Sequence, residues 1–300
     1  MTILLTGAGG FLGKHLLEVL LSQTDHSVIV LTSQGKNLCG MFPAEENRLT
    51  VVPTEQFTSL PFAEIDVLVN CAFPRNEDGT KMAEGLRFIA EILNAAVDGG
   101  VGAVINISSQ SVYSQQRTEP AAEDTPLNLE GKYAVGKYAA ELLTNTLCAA
   151  IPHTNLRLAS LIGAGFDQRV PNKLIAKALA GEELKVLTGS QYYGFLDVRD
   201  AADAITAVIN SNPVTWAKVC NLGTNDAYTL ENIAKQVVEV YNQKFSANIT
   251  YRTEPSDKPF NSSLNCRKFN ETFHWSPRHP LHDTIRWIFE QKKETIKNDQ

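Results

Sequence analysis

Apolar residues along this chain fall into two kinds of segment that alternate with each other. Short continuous runs rich in Val, Ile and Leu are typical of strands buried on both faces, whereas apolar residues three and four positions apart predict amphipathic helices. Strands that alternate with helices predict a parallel sheet with helices on both faces. In the first half, the strand-like runs are residues 3–5, 26–31, 49–52, 66–72, 102–108 and 155–161, and the helical runs are 12–21, 82–97 and 133–149.

The pattern changes after about residue 162, where shorter helices and strands alternate less regularly. No low-complexity linker separates the two parts, which predicts that they are interleaved and not joined by a hinge. We expect a larger α/β part over residues 1–162, to which segments near 196–224 return, and a smaller α/β part mainly over 163–300. The later helices are predicted at 171–179, 200–210, 229–241 and 283–292, and the later strands at 184–187, 218–222 and 249–252, before a charged, frayed tail.

The composition is that of a globular protein with a sizeable core. The chain has 300 residues, of which 43% are hydrophobic and 20% are charged. Its net charge of −6 argues against non-specific binding to nucleic acid or to an anionic membrane. No run of about 18 apolar residues predicts a membrane-spanning helix, and residues 1–20 lack the basic start and the cleavage site of a signal peptide.

Cysteine and histidine spacing predicts neither a disulfide framework nor a metal site. The five cysteines are far apart and include no CxxC pair, so we expect reduced thiols and a cytoplasmic location. The six histidines include no HExxH pattern. Three of them lie between residues 274 and 282 around two prolines, where surface positions are expected and metal ligation is not.

A glycine-rich turn joins the first predicted strand to the first predicted helix. Gly7, Gly10 and Gly13 allow a sharp turn and a close approach of the backbone to a ligand, and Phe11 and Leu12 begin the helix. The amino end of a helix presents unpaired N–H groups and a partial positive charge, which together bind phosphate. Placed between a strand and a helix, this spacing favours a bound dinucleotide and a Rossmann-type, doubly wound parallel sheet.

Three later residues form a candidate catalytic set. Tyr133 and Lys137 lie four apart on one predicted helix and therefore share a face. A tyrosine that transfers a proton near neutral pH needs its pKa lowered from about 10, and a nearby ammonium does this by stabilising the phenolate. Ser109 follows the strand run at 102–108, at the edge where parallel sheets bind ligands, and is able to hydrogen-bond a substrate carbonyl or hydroxyl.

Together these motifs resemble the extended short-chain dehydrogenase/reductases, the group that includes the NAD-dependent epimerases/dehydratases. The resemblance implies hydride transfer between a nicotinamide cofactor and a carbon that bears a hydroxyl. It also implies that Tyr133 is the general acid/base, that Lys137 holds the nicotinamide ribose, that Ser109 orients the reacting C–O group, and that Ala72 lies along the cofactor. The segments that carry the resemblance are residues 6–13, 70–72, 107–113, 133–137, 156–158 with Gly163, 195–200, 221–223 and 275–277.

The position that selects the cofactor departs from the family pattern. An acidic residue usually ends the second strand and binds the ribose 2′-hydroxyl of NAD. Thr32 stands there instead, followed by Ser33 and, three positions further on, by Lys36. No carboxylate repels a 2′-phosphate at this point, and Ser33 and Lys36 are able to bind one. We therefore expect a preference for NADP, the alternative being that NAD is held without the acid.

The substrate-binding segments also differ from those of nucleotide-sugar relatives. Tyr193 replaces an arginine that grips a phosphate in many of them. Arg75, just beyond the fourth strand, is a candidate for the missing anion contact, a surface position being the alternative. Gln168 and Arg169 fall in the variable substrate loop and are further candidates. Gln110 occupies a position where dehydratases carry a carboxylate, which disfavours dehydration.

The sequence thus predicts an NAD(P)-dependent oxidoreductase or epimerase that acts on a hydroxyl or keto carbon of a sugar or nucleotide sugar. One alternative is an NAD(P)H-dependent 4-keto sugar reductase, which consumes the cofactor. The other is a non-catalytic, cofactor-sensing binding protein, against which the presence of both Tyr133 and Lys137 counts. The resemblance also implies a possible homodimer through the helix that carries Tyr133.

Overall fold

The computed structural model describes residues 1–33, 47–74 and 78–298, with side chains as far as residue 292. The described strands are β1 (Thr2–Thr6), β2 (Ser27–Thr32), β3 (Leu49–Pro53), β4 (Val67–Asn70), β5 (Ala103–Ser109), β6 (His153–Leu158), β7 (Ser160–Ile162), β8 (Leu184–Thr188), β9 (Gln191–Tyr192), β10 (Phe195–Asp197), β11 (Val219–Leu222), β12 (Tyr251–Pro255) and β13 (Phe260–Asn261). The described α-helices are α1 (Phe11–Gln23), α2 (Gly79–Asp98), α3 (Lys132–Leu147), α4 (Val170–Leu179), α5 (Val198–Ile209), α6 (Leu230–Phe245), α7 (Arg267–Phe273) and α8 (Leu281–Asn298).

A seven-stranded sheet forms the centre of this part of the chain, with strand order β11-β6-β5-β4-β1-β2-β3. All of its neighbouring strands are parallel. The order reverses between β1 and β4, and a doubly wound sheet opens a crevice at such a point, outside the carboxyl ends of the strands. The predicted Rossmann-type α/β fold is therefore confirmed.

Helices cover both faces of the sheet because their apolar residues recur every three or four positions. Helix α1 packs against α5 on one face, and α2 packs against α3 on the other. In α1 the buried stripe includes Leu16, Leu17 and Leu20, and in α2 it includes Ile89 and Leu93. Burial of each such side chain contributes about 1.5–3 kcal/mol to folding, so the two helix layers are held against the faces of the sheet.

A second apolar cluster lies in the later part of the chain, where α4, α6 and α8 pack together. Three two-stranded parallel pairs accompany it: β8 with β12, β9 with β13, and β7 with β10. These short strands explain why strands and helices alternate less regularly after about residue 162, since each strand of such a pair contributes only a short apolar run. The cluster also contains Ile162 and Phe195, which stand at the crossing between the two parts.

Several predicted boundaries were wrong. The apolar run at 155–161 is not one strand: β6 ends at Leu158, and β7 pairs with β10 outside the main sheet. The amide of Ala159 donates to the carbonyl of Leu222 at 2.8 Å, which completes the ladder with β11 before the chain leaves. The last helix runs to Asn298, well beyond the predicted end at 292, and the seven-residue α7 was not predicted at all.

A row of buried, hydrogen-bonded asparagine side chains runs from strand to strand across the sheet. The strands that carry them are otherwise apolar. The Thr6 hydroxyl donates to Asn70 Oδ1 at 2.8 Å, and Asn70 Nδ2 donates to Asn106 Oδ1 at 3.0 Å. The amide of Asn106 in turn donates to Asn155 Oδ1 at 2.8 Å, and Asn155 Nδ2 donates to Asn145 Oδ1 on α3 at 2.9 Å. This ladder links β1, β4, β5 and β6 to α3, and each amide satisfies the polar atoms of the next.

Replacement of Asn106 by leucine tests the ladder. The change leaves Asn70 Nδ2 and Asn155 Oδ1 without their partner in a buried setting, so we expect the free energy of unfolding to fall by about 2–5 kcal/mol. Urea unfolding followed by circular dichroism measures it. The control is Asn94→Leu, an exposed asparagine on α2, for which a change within about 0.5 kcal/mol is expected. Equal stability of the two variants would show that the ladder contributes nothing.

Candidate active site

A cavity of about 340 Å³ opens at the carboxyl ends of the central strands, at the point where the strand order reverses. Its wall combines parts of the chain that are far apart in sequence. These are the glycine turn after β1, the end of β5, the first turns of α3, the segment between β6 and β7, and the loop before α4. The residues that line it include Gly7, Gly10, Phe11, Ser109, Gln110, Tyr133, Lys137, Phe166 and Arg169.

The glycine turn is shaped by backbone contacts that exclude side chains. Gly7 has φ +73°, and a Cβ there would lie 2.6 Å from the backbone nitrogen of Ala72. A Cβ on Gly13 would lie 2.2 Å from the carbonyl oxygen of Gly7. Gly10 is the residue before helix α1 and supplies no side-chain cap, so no side chain caps the first amides of α1 at this wall of the cavity. This cradle fits the pyrophosphate of a dinucleotide.

Ser109, Tyr133 and Lys137 line this one cavity. The Lys137 ammonium is buried, donates to the carbonyl of Ile107 at 2.7 Å, and lies 5.9 Å from the centre of the Tyr133 ring. Phe73 completes the packing: its ring lies 4.2 Å from Lys137 Nζ and meets the Tyr133 ring edge to face at 5.6 Å. The arrangement sets a fixed positive charge beside a phenol.

The Ser109 hydroxyl is held by hydrogen bonds from Ser111, just beyond the end of β5. It accepts a hydrogen bond from the Ser111 amide at 3.2 Å and another from the Ser111 hydroxyl at 3.1 Å. Both bonds use the oxygen as an acceptor, so its own proton remains available for an oxygen atom in the cavity. Ser111 was missed in the sequence analysis, although it lies two positions after Ser109 and also lines the cavity.

A buried polar network lies behind these residues and joins β5 to α3. Glu141, one turn after Lys137, accepts hydrogen bonds from the Ser108 hydroxyl and from Arg157 Nη2, the latter at 2.7 Å. Arg157 also donates to the Tyr113 hydroxyl at 2.9 Å, and that hydroxyl donates to Asn221 Oδ1 at 2.9 Å. Burial raises the pKa of Tyr113, although Arg157 opposes the rise, so this tyrosine stays neutral. The network fixes the helix that carries Tyr133 against the strand that carries Ser109.

Burial keeps the Cys71 thiol of the cavity wall in its neutral form. Burial raises the pKa of the Cys71 thiol to about 12, even though Lys137 acts in the opposite direction. A thiol with so high a pKa is not ionised near neutral pH, and the thiolate is the reactive form. The cavity therefore offers a hydroxyl, a phenol and an ammonium as its reactive groups.

The structure does not bring every predicted site residue to this cavity. Thr32 is buried at the end of β2 and Ser33 is exposed beside it, and neither lines the cavity. Ala72 touches the glycine turn through its backbone, its amide donating to the Thr6 hydroxyl at 3.3 Å. Leu12 lines the cavity together with Gly7, Gly10, Phe11 and Gly13. Arg75 and Lys36 lie outside the described residues.

The candidates for substrate contact are divided in the same way. Gln110 and Arg169 line the cavity, and the Gln110 side chain accepts a hydrogen bond from Gln115 Nε2 at 3.0 Å. Gln168 is exposed next to Arg169 and does not line it. Tyr193 does not line it either, since its ring stacks on that of Phe195 and packs against Phe260. Phe166, which sequence reasoning missed, lines the cavity from the same loop as Arg169.

The described residues contain neither a cluster of metal-ligating side chains nor a membrane-spanning helix. No group of three or more His, Cys, Asp and Glu side chains is placed to hold a metal ion within the ranges that the structure describes. Over the same ranges, none of the helices combines the length and the apolar character needed to cross a membrane.

Comparison with known proteins shows the family to which this chain belongs. The model of the NAD dependent epimerase/dehydratase family matches residues 3–223, which include the glycine turn, Ser109, Tyr133 and Lys137. Because this match spans well over half of the chain, the protein belongs to the NAD dependent epimerase/dehydratase family.

Individual relatives are distant but cover nearly the whole chain. An uncharacterized UDP-glucose epimerase of Bacillus subtilis is 25% identical over 95% of this chain and 96% of its own length. A dTDP-4-dehydro-6-deoxy-D-allose reductase of a Streptomyces species is 26% identical over 95% of each chain. Among solved structures, the UDP-glucuronic acid 4-epimerase of Bacillus cereus in complex with NAD has a TM-score of 0.81 at 20% identity, covering 98% of this chain and 99% of its own. That likeness shows the fold.

Proposed function

We propose that this protein is an NAD(P)-dependent enzyme that oxidises or reduces a hydroxyl or keto carbon of a nucleotide sugar. The observation that carries the proposal is the convergence of Ser109, Tyr133 and Lys137 with the glycine turn on one cavity. Membership of the family supports the cofactor class. The names of the distant relatives, an epimerase of UDP-glucose and a reductase of a dTDP-linked keto sugar, support the substrate class.

The roles of the three residues follow from their chemistry. The bound cofactor supplies a hydride acceptor or donor at C4 of its nicotinamide. Tyr133 removes the proton from the substrate hydroxyl in one direction and returns it in the other. The fixed charge of Lys137 stabilises the phenolate that Tyr133 forms. The Ser109 hydroxyl donates a hydrogen bond to the substrate oxygen and holds that oxygen beside Tyr133, which keeps the reacting carbon in one orientation.

Epimerisation and net reduction share this machinery, and we place epimerisation first and a 4-keto reductase second. Dehydration needs a further acid or base near the sugar. Gln110 stands directly after Ser109 in the cavity wall, and no Asp or Glu lines the cavity among the residues the structure describes. A non-catalytic, cofactor-sensing role is the weakest candidate, because Tyr133 and Lys137 both line the cavity together with Ser109.

Three further features are proposed on the same basis. Residues 1–162, with segments near 196–224, are the cofactor-binding part, and residues 163–300 mainly bind the substrate.

The protein forms a homodimer through α3, on which Val135 and Leu142 are large exposed apolar side chains two turns apart. A monomer in sedimentation velocity would exclude the dimer. Its place is the cytoplasm, which is supported by the free state of Cys71, Cys148, Cys220 and Cys266 and is checked by cell fractionation.

The Tyr133→Phe variant tests the mechanism. Loss of the phenol oxygen removes the proton-transfer group, so kcat on a panel of UDP- and dTDP-linked sugars should fall by about 100-fold to 10,000-fold. The Kd for the cofactor should stay within about threefold, because the phenol is not part of the glycine cradle. Tyr138→Phe, on the next turn of α3, is the matched control and should keep its activity. Undiminished turnover by Tyr133→Phe would overturn the mechanism, and a wild-type protein that binds cofactor without turnover would favour the sensing role.

Cofactor preference is proposed to be for NADP, because Thr32 ends β2 where an acid would select NAD. The structurally similar epimerase of Bacillus cereus was solved with NAD, so the two cofactors must be compared directly. Titration should give the lower Kd for NADP, and Thr32→Asp should weaken NADP by roughly tenfold or more through repulsion of the 2′-phosphate. Thr50→Asp, at an exposed position of β3, controls for the added charge. A wild-type Kd at least about tenfold lower for NAD would reject the preference.

A further inference from the structure

Helix α3 carries a glycine, Gly136, directly before Lys137 and three residues after Tyr133. A Cβ at this position would lie 2.2 Å from Met82 Sδ and 2.9 Å from Phe73 Cζ. Both neighbours come from other elements: Met82 lies in the first turn of α2, and Phe73 lies three residues after β4 ends. The missing side chain therefore leaves a notch in α3, which the Phe73 and Met82 side chains occupy.

Packing, and not helix preference, accounts for this glycine. Gly136 lies inside α3, beyond its first turn. Glycine is less favourable than alanine in the interior of a helix, because it loses more conformational freedom on folding. Gly136 has an ordinary helical backbone and no positive φ that would require a glycine. The close approach of two side chains from outside the helix is therefore what the small residue permits.

The half-buried Phe73 ring in this notch contacts both residues of the tyrosine–lysine pair. The Lys137 ammonium lies 4.2 Å from the centre of the Phe73 ring, which is a cation–π contact. The Tyr133 ring meets the Phe73 ring edge to face, with 5.6 Å between centres and 85° between planes. One aromatic side chain thus packs against the ammonium and the phenol together, and Gly136 allows it to reach them.

The Lys137 ammonium is held in a setting where its charge acts strongly. The residue is 4% exposed, and Nζ donates a hydrogen bond to the Ile107 carbonyl at 2.7 Å. The titratable groups near it add no uncompensated negative charge. Burial raises the pKa of the Cys71 thiol to about 12, so this thiol is neutral, and Glu141 on the next turn of α3 pairs with Arg157 at 2.7 Å. The effect of the ammonium on a neighbouring phenol therefore depends on its position and on how well water is excluded.

We propose that Phe73, admitted by the notch at Gly136, is a positioning residue that holds the Lys137 ammonium beside Tyr133 and shields it from water. A charge acts more strongly on a neighbouring group when water is excluded, so the phenolate of Tyr133 is stabilised most while the ring is in place. The inference rests on the proposed function, in which Tyr133 transfers the proton. It adds a residue that tunes this group without reacting.

Titration of the Tyr133 phenol tests this role without any need for turnover. The ultraviolet absorbance of the phenolate is measured against pH in the full chain, and the same measurement on Tyr133→Phe is subtracted, which isolates one of the eight tyrosines. In Phe73→Leu an apolar side chain still covers the phenol, but the aromatic face against the ammonium is lost. The titration midpoint of Tyr133 should therefore move to higher pH by about 0.5–1 pH unit.

Gly136→Ala tests the same ring from the side of the helix. Helix preference alone predicts a more stable protein, whereas the added Cβ must displace the Phe73 ring. We expect the Tyr133 midpoint to rise as in Phe73→Leu, with no gain in thermal midpoint. When Gly136→Ala is added to Phe73→Leu, the Tyr133 midpoint should move no further, because the ring that the Cβ would displace is already absent.

Met82→Leu is the control variant, because it replaces the other side chain in the notch with one of similar volume and leaves Phe73 unchanged. Its Tyr133 midpoint should equal that of the wild type. An unshifted Tyr133 midpoint in a folded Phe73→Leu protein overturns the proposal. An equal shift in Met82→Leu overturns it as well, since the effect would then belong to the packing of α2 against α3 in general.

Steady-state kinetics separates this inference from the proposed reaction. In the oxidation direction the phenolate is the base, so the acid limb of the kcat profile should move to higher pH in Phe73→Leu, together with the phenol midpoint. The KM for the nucleotide sugar should change by less than about threefold. A shifted phenol midpoint in a protein that turns over no nucleotide sugar would reject the proposed reaction and retain the role of Phe73. An acid limb that stays in place while the sugar is oxidised would overturn that role.

Discussion

The backbone of the turn after β1 passes so close to two other segments that no side chain fits between them. A Cβ atom on Gly13 would overlap the carbonyl oxygen of Gly7, and a Cβ atom on Gly7 would clash with the backbone of Ala72. This close approach brings the amino end of α1 to the point where the sheet order reverses. It also puts Phe11 where its ring meets Phe166 from the later part of the chain. The shape of the turn and the contact between the two parts therefore depend on the same few glycines.

A second constraint fixes the reactive groups relative to each other. Tyr133 and Ser109 come from different elements, and their distance depends on how α3 lies against β5. Lys137 donates a hydrogen bond to the Ile107 carbonyl, and one turn later Glu141 accepts hydrogen bonds from Ser108 and Arg157. Two successive turns of α3 are therefore attached to the end of β5 and to β6. Removal of one partner from such a buried pair leaves an uncompensated charge, which makes the arrangement costly to disturb. The helix turn that carries Tyr133 is thus held to the strand end by Lys137 and Glu141.

The outline of the fold followed from the sequence because it depends on local pattern, and the candidate site residues were proposed from local spacing in the same way. Continuous β-branched runs identified the strands of the main sheet, and the glycine spacing with Tyr133 and Lys137 indicated the candidate site. Polar residues inside strands gave no such signal. Asn70, Asn106 and Asn155 are satisfied only because three strands bring them side by side. Likewise, the run at 155–161 contains no residue that marks the break at Ala159, where the chain leaves one sheet for another.

The sequence by itself determined the alternation of strands and helices, the glycine turn between β1 and α1, and the tyrosine–lysine pair on one helix face, because these depend on neighbours a few positions away. Only the tertiary structure decided that Arg169 faces the cavity while Tyr193 is packed against Phe195 and Phe260. It also decided that Phe166 stacks on Phe11 from more than a hundred residues away. The physical reason is that side-chain surroundings in the second part depend on short strand pairs and aromatic packing between distant segments, which no local periodicity encodes.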